Sequence, residues 1–342
     1  MSISSYRPGV FSSYTILPGY TGAVEALGVG VIGAFGLSDS LPHTYRRGDV
    51  IPAGLAQAAE VLFAAGLSEF AALSVASDAG ADGYAAALAA LNQAASPDLL
   101  AVEDGSQAVL AAVKAFVEQQ AEEQREMVAF AGCGDIASAQ TIAAAVNSPR
   151  VVLSWGSPVP EGEEEGVPFL GAAALCAAVA VMEEPIVSLT GQELAGLPTL
   201  EAEATWAQID ALLGAGVTPL CRSGDGVEAV RVITTSTSLD GSPNRSFSPI
   251  NSILIVDYVM KALRQSLAAF LKGARNSAQT LSAVASQVTV LLGELRDRGI
   301  ITQYGAPRAY CPSATPEVCV VEVSFTAAYL INQIQIQAQI QL

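Results

Sequence analysis

The sequence predicts an α/β fold, in which a helix-covered sheet body is followed by an α+β C-terminal domain and extended β-strand arms lie at both ends. Short apolar runs alternate with helix-length segments between residues 50 and 155, a rhythm typical of a parallel sheet covered by helices. Hydrophobic residues make up 51% of the 342 residues, which is enough for a large core. Both ends carry strand-like patterns instead of helical ones.

The N-terminal arm is predicted at residues 1–20. Its segment Val10–Leu17 is rich in β-branched and aromatic residues. Pro-Gly pairs stand on both sides of it, at residues 8–9 and 18–19. This pattern predicts a strand between two turns.

The body is predicted at residues 21–184. It opens with a strand region at Gly22–Gly36, and strands and helices then alternate. The predicted helices are Pro52–Gly66, Gly80–Ala95, Gln107–Met127, Ile136–Asn147 and Phe169–Met182. The predicted strands are Phe70–Ala76, Leu99–Val102, Val128–Ala131 and Val151–Ser154.

The character of the chain changes near Pro185, and the inner domain is predicted at residues 185–316. It holds a helix at Thr205–Leu213, followed by two strands around the turn sequence Ser-Gly-Asp-Gly at residues 223–226, a good hairpin signal. Two long helices follow at Pro249–Lys272 and Ser277–Arg298.

The C-terminal arm is predicted at residues 317–342. Its last stretch alternates apolar residues with glutamines and holds no charge, which is the pattern of an amphipathic strand. An uncharged strand edge of this kind readily pairs with another strand. We therefore expect it to be paired in the functional protein, either within the chain or with another molecule. The apolar face comprises Ile334, Ile336, Ala338, Ile340 and Leu342.

Charge and composition exclude several classes of function. The chain has 33 acidic and 16 basic residues and a net charge of −17, so direct binding of nucleic acid is not expected. The N-terminus lacks the pattern of a secretory signal, and the apolar runs are too short for a spanning helix. Five scattered cysteines fit reduced thiols in the cytosol. A single histidine, His43, argues against multi-histidine sites.

Motif searching yields no catalytic residues, no cofactor-binding residues and no metal ligands. Residues Gly28–Gly33 match GxGxxG, but no helix start follows, so a glycine-rich packed strand is favoured over a nucleotide site. The glutamates at 161–165 lack the spacing of a calcium loop and predict a solvated loop. The hydroxyl-rich run Thr234–Thr237 lacks P-loop glycines and predicts a strand end.

A basic stripe is predicted along the first long helix. Its members fall within an arc of about 80° at about 100° per residue, beside an apolar face. They are Lys261, Arg264, Lys272 and Arg275. The stripe is either an ordinary solvated face or a surface that meets an acidic partner.

Together these patterns resemble the contractile tail sheath proteins of bacteriophages and phage-like injection particles. The resemblance rests on Arg7-Pro8-Gly9-Val10, on PIVSLTGQEL after Glu184, and on the order of the later segments. Those segments are ALLGAGVTPLC, VRVITTST, SILIVDYVMKALRQSLAAFLKG, LLGELRDRGII and the alternating tail. The chain is short for this family and lacks its large outer insertions.

The resemblance implies a structural subunit that stacks in six-fold rings around an inner tube and contracts. It implies that the arms donate strands to neighbouring subunits through Val10, Phe11, Tyr14, Ile16, Ile334, Ile336, Ile340 and Leu342. It also implies that the basic stripe faces the tube, and that baseplate and tail terminator proteins are further partners. The particle tail, assembled in the host bacterial cytoplasm, is the expected location. A nucleotide-dependent enzyme and a non-contractile assembly protein are the alternatives.

Overall fold

The structure is a computed structural model that describes residues 27–37, 40–224, 226–268 and 275–331. The predicted N-terminal arm, with Val10, Phe11, Tyr14 and Ile16, lies outside the described residues. So do Ile334, Ile336, Ile340 and Leu342 of the C-terminal strand, and Lys272 of the basic stripe.

The described residues form eight α-helices and sixteen strands. The helices are α1 (Ala56–Ala64), α2 (Gly80–Ala95), α3 (Gln107–Glu122), α4 (Ile136–Val146), α5 (Pro168–Ala180), α6 (Trp206–Ala215), α7 (Ile250–Ala268) and α8 (Ala278–Asp297). The strands up to residue 200 are β1 (Val29–Gly33), β2 (His43–Arg46), β3 (Glu69–Ser74), β4 (Leu99–Val102), β5 (Val128–Cys133), β6 (Val151–Trp155), β7 (Pro158–Val159) and β8 (Thr199–Leu200). The remaining strands are β9 (Thr218–Ser223), β10 (Gly226–Ala229), β11 (Ser238–Leu239), β12 (Ser242–Pro243), β13 (Ile301–Tyr304), β14 (Arg308–Tyr310), β15 (Val320–Glu322) and β16 (Phe325–Ala327).

A mixed eight-stranded sheet organises the body in the order β10-β9-β6-β5-β4-β1-β3-β2. The six inner strands run parallel, whereas β2 and β10 pair antiparallel at the two edges. The segment around Glu193 covers β10, because the amide of Leu194 donates to the carbonyl of Val227. The chain therefore protects this edge of the sheet itself.

The inner strands are largely apolar because helices cover both of their faces. In β4, for example, Leu99 and Ala101 join the cluster under α1 and α5, while Leu100 and Val102 join the cluster under α2, α3 and α4. Eleven of the thirteen residues of α5 are buried. A helix that is hydrophobic all round belongs in the interior, and α5 accordingly lies between the sheet and α1.

Local signals define several helix boundaries. Asp135 caps α4 by accepting a hydrogen bond from the amide of Ser138 at 2.7 Å. Thr205 and Gln208 form a reciprocal capping box at the start of α6, and Gly216 ends that helix in the left-handed conformation. None of the helices in the described part of the chain has both the length and the apolar character needed to cross a bilayer.

The C-terminal unit consists of α7, α8 and two small sheets, and it has its own apolar cluster. Ile255, Val259 and Leu263 of α7 pack against Val288 and Leu292 of α8. The sheets are the antiparallel pairs β13–β16 and β14–β15. Helix α8 contacts both β13 and β14, so the sheets lie on the helical pair.

The predicted fold class is confirmed: a large helix-covered mixed sheet is followed by an α+β unit. The predicted bounds of α2 and β4 match the structure residue for residue. The boundary predicted between residues 184 and 185 falls within one sheet unit, because β9 pairs with β6 of the preceding segment. The packing places the change of unit near residue 250 instead, where α7 begins.

The start of the predicted C-terminal arm also differs from the structure. Strands β15 and β16 lie after residue 317, yet they pair with β14 and β13 of the same chain. Residues 320–327 are thus part of the C-terminal unit, and the alternating segment begins beyond it.

Candidate functional site: the seam along α7 and the open strand edges

Two members of the predicted basic stripe face carboxylates of the body. The Arg264 guanidinium forms a two-pronged ion pair with the Glu126 carboxylate, with one N–O distance of 2.7 Å. The Lys261 ammonium lies 3.3 Å from a carboxylate oxygen of Asp98, and about half of that lysine side chain is exposed. Arg275 is exposed. Much of the stripe therefore lies along a contact between α7 and the body.

A second two-pronged pair lies beside the first. Both terminal nitrogens of Arg150, which immediately precedes β6, donate to the carboxylate of Asp257 on α7 at 2.8 Å. The side chains of Arg150 and Asp257 are only 11% and 17% exposed. We call Glu126, Arg150, Asp257 and Arg264 the seam quartet. It contains two positive and two negative groups, and each pair joins the body to α7.

The pKa values of the two carboxyl groups of the quartet are shifted in opposite directions. Burial raises the pKa of Asp257 above its ordinary value, and the hydrogen bonds from Arg150 only partly oppose this. Burial is also the largest single influence on Glu126, but the hydrogen bonds from Arg264, a backbone hydrogen bond and the positive charges of Arg264 and Arg150 together outweigh it and lower the pKa of Glu126. Glu126 is therefore the carboxylate that the quartet stabilises more strongly in its charged form.

A groove of about 900 Å³ runs between α7 and the amino-terminal ends of β4 and β5. Asp98, Val181 and Lys261 lie on its walls, together with Leu27 just before β1.

The C-terminal unit presents strand edges. Within the part of the chain that the structure describes, β13 pairs only with β16, and β14 pairs only with β15. Two-stranded sheets leave backbone donors and acceptors open on their outer edges. Apart from the buried Ile301, their residues are half-buried or exposed, so these edges are accessible for the addition of a further strand.

The GxGxxG segment is a packed strand, as favoured from the sequence. It forms β1 in the middle of the sheet, and a Cβ at Gly30 would lie 2.8 Å from the side chain of Leu91 on α2. The glycines therefore allow close packing of helix on strand.

The other polar residues singled out in the sequence take part in the packing of the fold or lie on its surface. Thr235 is buried, and its hydroxyl donates to the carbonyl of Ser148. The glutamates at 161–165 are exposed in a loop. His43 begins the edge strand β2. Among the described residues, no three His, Cys, Asp or Glu side chains come together in a way that could hold a metal ion.

Sequence reasoning missed the carboxylates of the seam. Asp257 lies four residues before Lys261 and seven before Arg264, so it shares their side of the helix. An acidic residue on the same side of the helix as the basic stripe was the available signal that this side meets protein. The partners Asp98, Glu126 and Arg150 lie more than a hundred residues away, and no local pattern marks them.

The comparisons with known proteins agree with this architecture. Residues 77–235 match the family model described as the phage tail sheath protein central domain. The matched region runs from the segment before α2 to the residues after β10, and it contains five of the eight strands of the sheet. A comparison with curated sequences found no significant match.

Solved sheath structures share the whole fold. The crystal structure of the sheath tail protein from Desulfitobacterium hafniense aligns with a TM-score of 0.67 and 14% identity, over 93% of this chain and 100% of that chain. The helical sheath of the anti-feeding prophage in its contracted state aligns at 0.71 and 16% identity, over 98% and 99%. A chain of the anti-feeding prophage baseplate aligns at 0.70 and 16%, over 99% and 100%.

These findings confirm the resemblance to contractile tail sheath proteins. The similarity extends beyond the central domain, because the aligned structures include the C-terminal unit as well. The sheath-type fold is therefore present from the body to the open strand edges.

Proposed function

We propose that this chain is the repeating subunit of a contractile sheath, which polymerises as stacked six-fold rings around an inner tube and contracts to drive that tube through a target envelope. The sheath central domain and the likeness to a contracted helical sheath support this function. The observation that carries it is the pair of open-edged sheets in the C-terminal unit, beside a sequence end that alternates apolar and polar residues.

The terminal segments are proposed to connect the subunits. Residues 328–342 add as a strand to an open edge of a neighbour's C-terminal unit, and Val10–Leu17 joins the same intermolecular sheet. The backbone supplies the affinity in such additions, and alternate side chains supply the register. A connection of this kind survives rigid-body movement of the subunits, which contraction requires.

The seam quartet is proposed to hold the C-terminal unit to the body while subunits move. Its members are largely buried and paired, so they are unavailable to a partner. Lys261 and the exposed Arg275 remain, together with Lys272 from the sequence, as cations for acidic groups on the tube. Exposed ion pairs are each worth about 0–1 kcal/mol and weaken with salt, which suits a surface that must release the tube.

The test is co-expression with the cognate tube protein, followed by electron microscopy. The variant Lys261→Glu/Lys272→Glu/Arg275→Glu leaves Arg264 in place, because the Arg264 side chain is only 30% exposed in its two-pronged pair with Glu126, whereas that of Lys261 is 50% exposed. We expect empty, contracted-like tubes from this variant and extended, tube-filled particles from the wild type. Arg222→Glu, a half-exposed change on the body, is the matched control. Extended, tube-filled particles from the triple variant would contradict the tube contact.

A nucleotide-dependent enzyme is not supported by the packing of β1, where Gly30 lies against Leu91 of α2. In the proposed function contraction uses energy stored in the extended lattice, so nucleotides have no part in it. Baseplate and terminator proteins are the proposed partners at the two ends of the sheath, and the particle is proposed to assemble in the host bacterial cytoplasm.

A further inference from the structure

Two cysteines face each other at the end of the β14–β15 hairpin. The antiparallel register pairs Arg308 with Glu322, Ala309 with Val321 and Tyr310 with Val320. One step further, the same register sets Cys311 opposite Cys319. Directly opposed residues of antiparallel strands have Cβ atoms about 4.5–5.5 Å apart, close to the separation that a disulfide bridges.

The connecting loop holds these two residues together. Two successive turns span it, with Thr315 donating its amide to the carbonyl of Pro312 and Val318 donating to the carbonyl of Thr315. Asn276, just before α8, donates its side-chain amide to the carbonyl of Pro316. The loop is therefore held by hydrogen bonds within its two turns and by one hydrogen bond from the segment before α8.

The thiols of this pair interact in the reduced protein. Partial burial raises the pKa of Cys319, and the adjacent Cys311 thiol raises it further by charge and by hydrogen bonding. Cys319 is exposed and Cys311 is half-buried, so a small molecule reaches Cys319 first. The remaining cysteines have other surroundings: Cys176 is fully buried, Cys133 donates to the carbonyl of Asp135, and Cys221 donates to Glu228.

We propose that Cys311 and Cys319 are a redox modification site, which forms an intramolecular disulfide when a small-molecule disulfide such as oxidised glutathione is present. The Cys319 thiolate attacks one glutathione sulfur, forms a mixed disulfide and releases one glutathione thiolate. The Cys311 thiolate then attacks the Cys319 sulfur and releases the second. Two protein thiols are oxidised, one glutathione disulfide is reduced to two glutathione molecules, and the two protons are transferred to them.

The disulfide would close the loop end of the β14–β15 hairpin covalently. In a reducing cytosol the pair stays reduced, and this timing rests on the proposed function, in which the particle assembles in the cytoplasm and acts outside it. The bond would then form after release. It would fix the pairing of β14 with β15, one of the two sheets to which the proposed function adds a neighbour's strand.

The test uses the purified full-length chain and oxidised glutathione, so it does not depend on sheath assembly. Free thiols are then blocked with maleimide under denaturing conditions, and a glutamate-specific protease cuts after Glu317, between the two cysteines. We expect two of the five thiols to be lost and one disulfide-linked peptide pair containing Cys311 and Cys319. Reduction before digestion should separate the pair.

Variants make the result specific. Cys319→Ser should abolish the linked pair, and the double control Cys133→Ser/Cys221→Ser should retain it. Five free thiols after oxidation, stable glutathione adducts on both residues of the wild type, or disulfide-linked dimers on a non-reducing gel would each overturn the proposal. Since imaging of sheath tubes is a separate experiment, failure here leaves the proposed function standing.

Discussion

The strands of the body and those of the C-terminal unit differ in how completely they are covered. Helices cover the body's eight-stranded sheet on both faces, and the segment around Glu193 covers its β10 edge. The C-terminal unit has two sheets of two strands, whose described residues are half-buried or exposed apart from Ile301. The body covers its β10 edge with its own chain, whereas among the described residues each sheet of the C-terminal unit stops at two strands.

This difference separates the part of the chain that folds as an independent core from the part that is proposed to join neighbouring subunits. A helix-covered parallel sheet folds as an independent core, whereas isolated two-stranded sheets are marginal in water and gain stability from added strands. We therefore expect changes in the body to act on folding, changes at the seam to act on the joining of the two units, and changes in the terminal strands to act on assembly.

The largest expected effect is on the folding of the body. Phe130 in β5 is fully buried, so Phe130→Ala should lower the free energy of unfolding by about 3–5 kcal/mol. Phe325→Ala in β16, where the ring is half-buried, should cost less than half as much. Denaturant unfolding of both variants checks the comparison. Equal losses would show that the C-terminal unit has a core as complete as that of the body.

The next effect is expected at the seam. Arg150→Met should lower the free energy of unfolding by about 3 kcal/mol, because it leaves Asp257 buried without its partner. The double variant Arg150→Met/Asp257→Leu should recover most of that loss, since no unpaired charge remains. Chemical denaturation of the single and double variants measures the difference. A double variant as unstable as the single one would mean that Arg150 acts through something other than the pair.

A smaller, pH-dependent effect is expected from Glu126. Its pKa lies below the ordinary value of 4.5, so its ionised form contributes stability above that pH. The contribution is lost as the pH falls through the lowered pKa in the folded protein. Asp257, whose pKa is raised, has the opposite sign and gains stability over acid pH.

The variant Glu126→Gln separates these two contributions. Its deficit relative to wild type should be largest at neutral pH and should shrink on acidification below the ordinary glutamate pKa. Glu118→Gln, the same chemical change outside the quartet, serves as the matched control. A deficit of Glu126→Gln that grows as the pH falls would contradict the assignment.

Local sequence patterns predicted the elements of the body well. The alanine-rich α2 and the apolar β4 have their predicted bounds because propensity, helix ends and burial agree there. Long-range pairing could not be predicted in the same way. The partners Arg150 and Asp257 are 107 residues apart, and the strand order depends on packing of the whole chain. The hairpin of β14 and β15 was also missed, because each strand has only three residues.

The most direct test of assembly by strand addition is electron microscopy of the full-length chain beside a truncation after Tyr329. Tyr329 is largely exposed and lies beyond β16, so the truncated subunit should fold with unchanged stability. Hollow striated tubes are expected from the full chain, and dispersed single subunits are expected from the truncation. Ile336→Lys should reproduce the loss, and Gln337→Lys on the other face of the strand should be milder. Long tubes from the truncated chain would contradict assembly by strand addition.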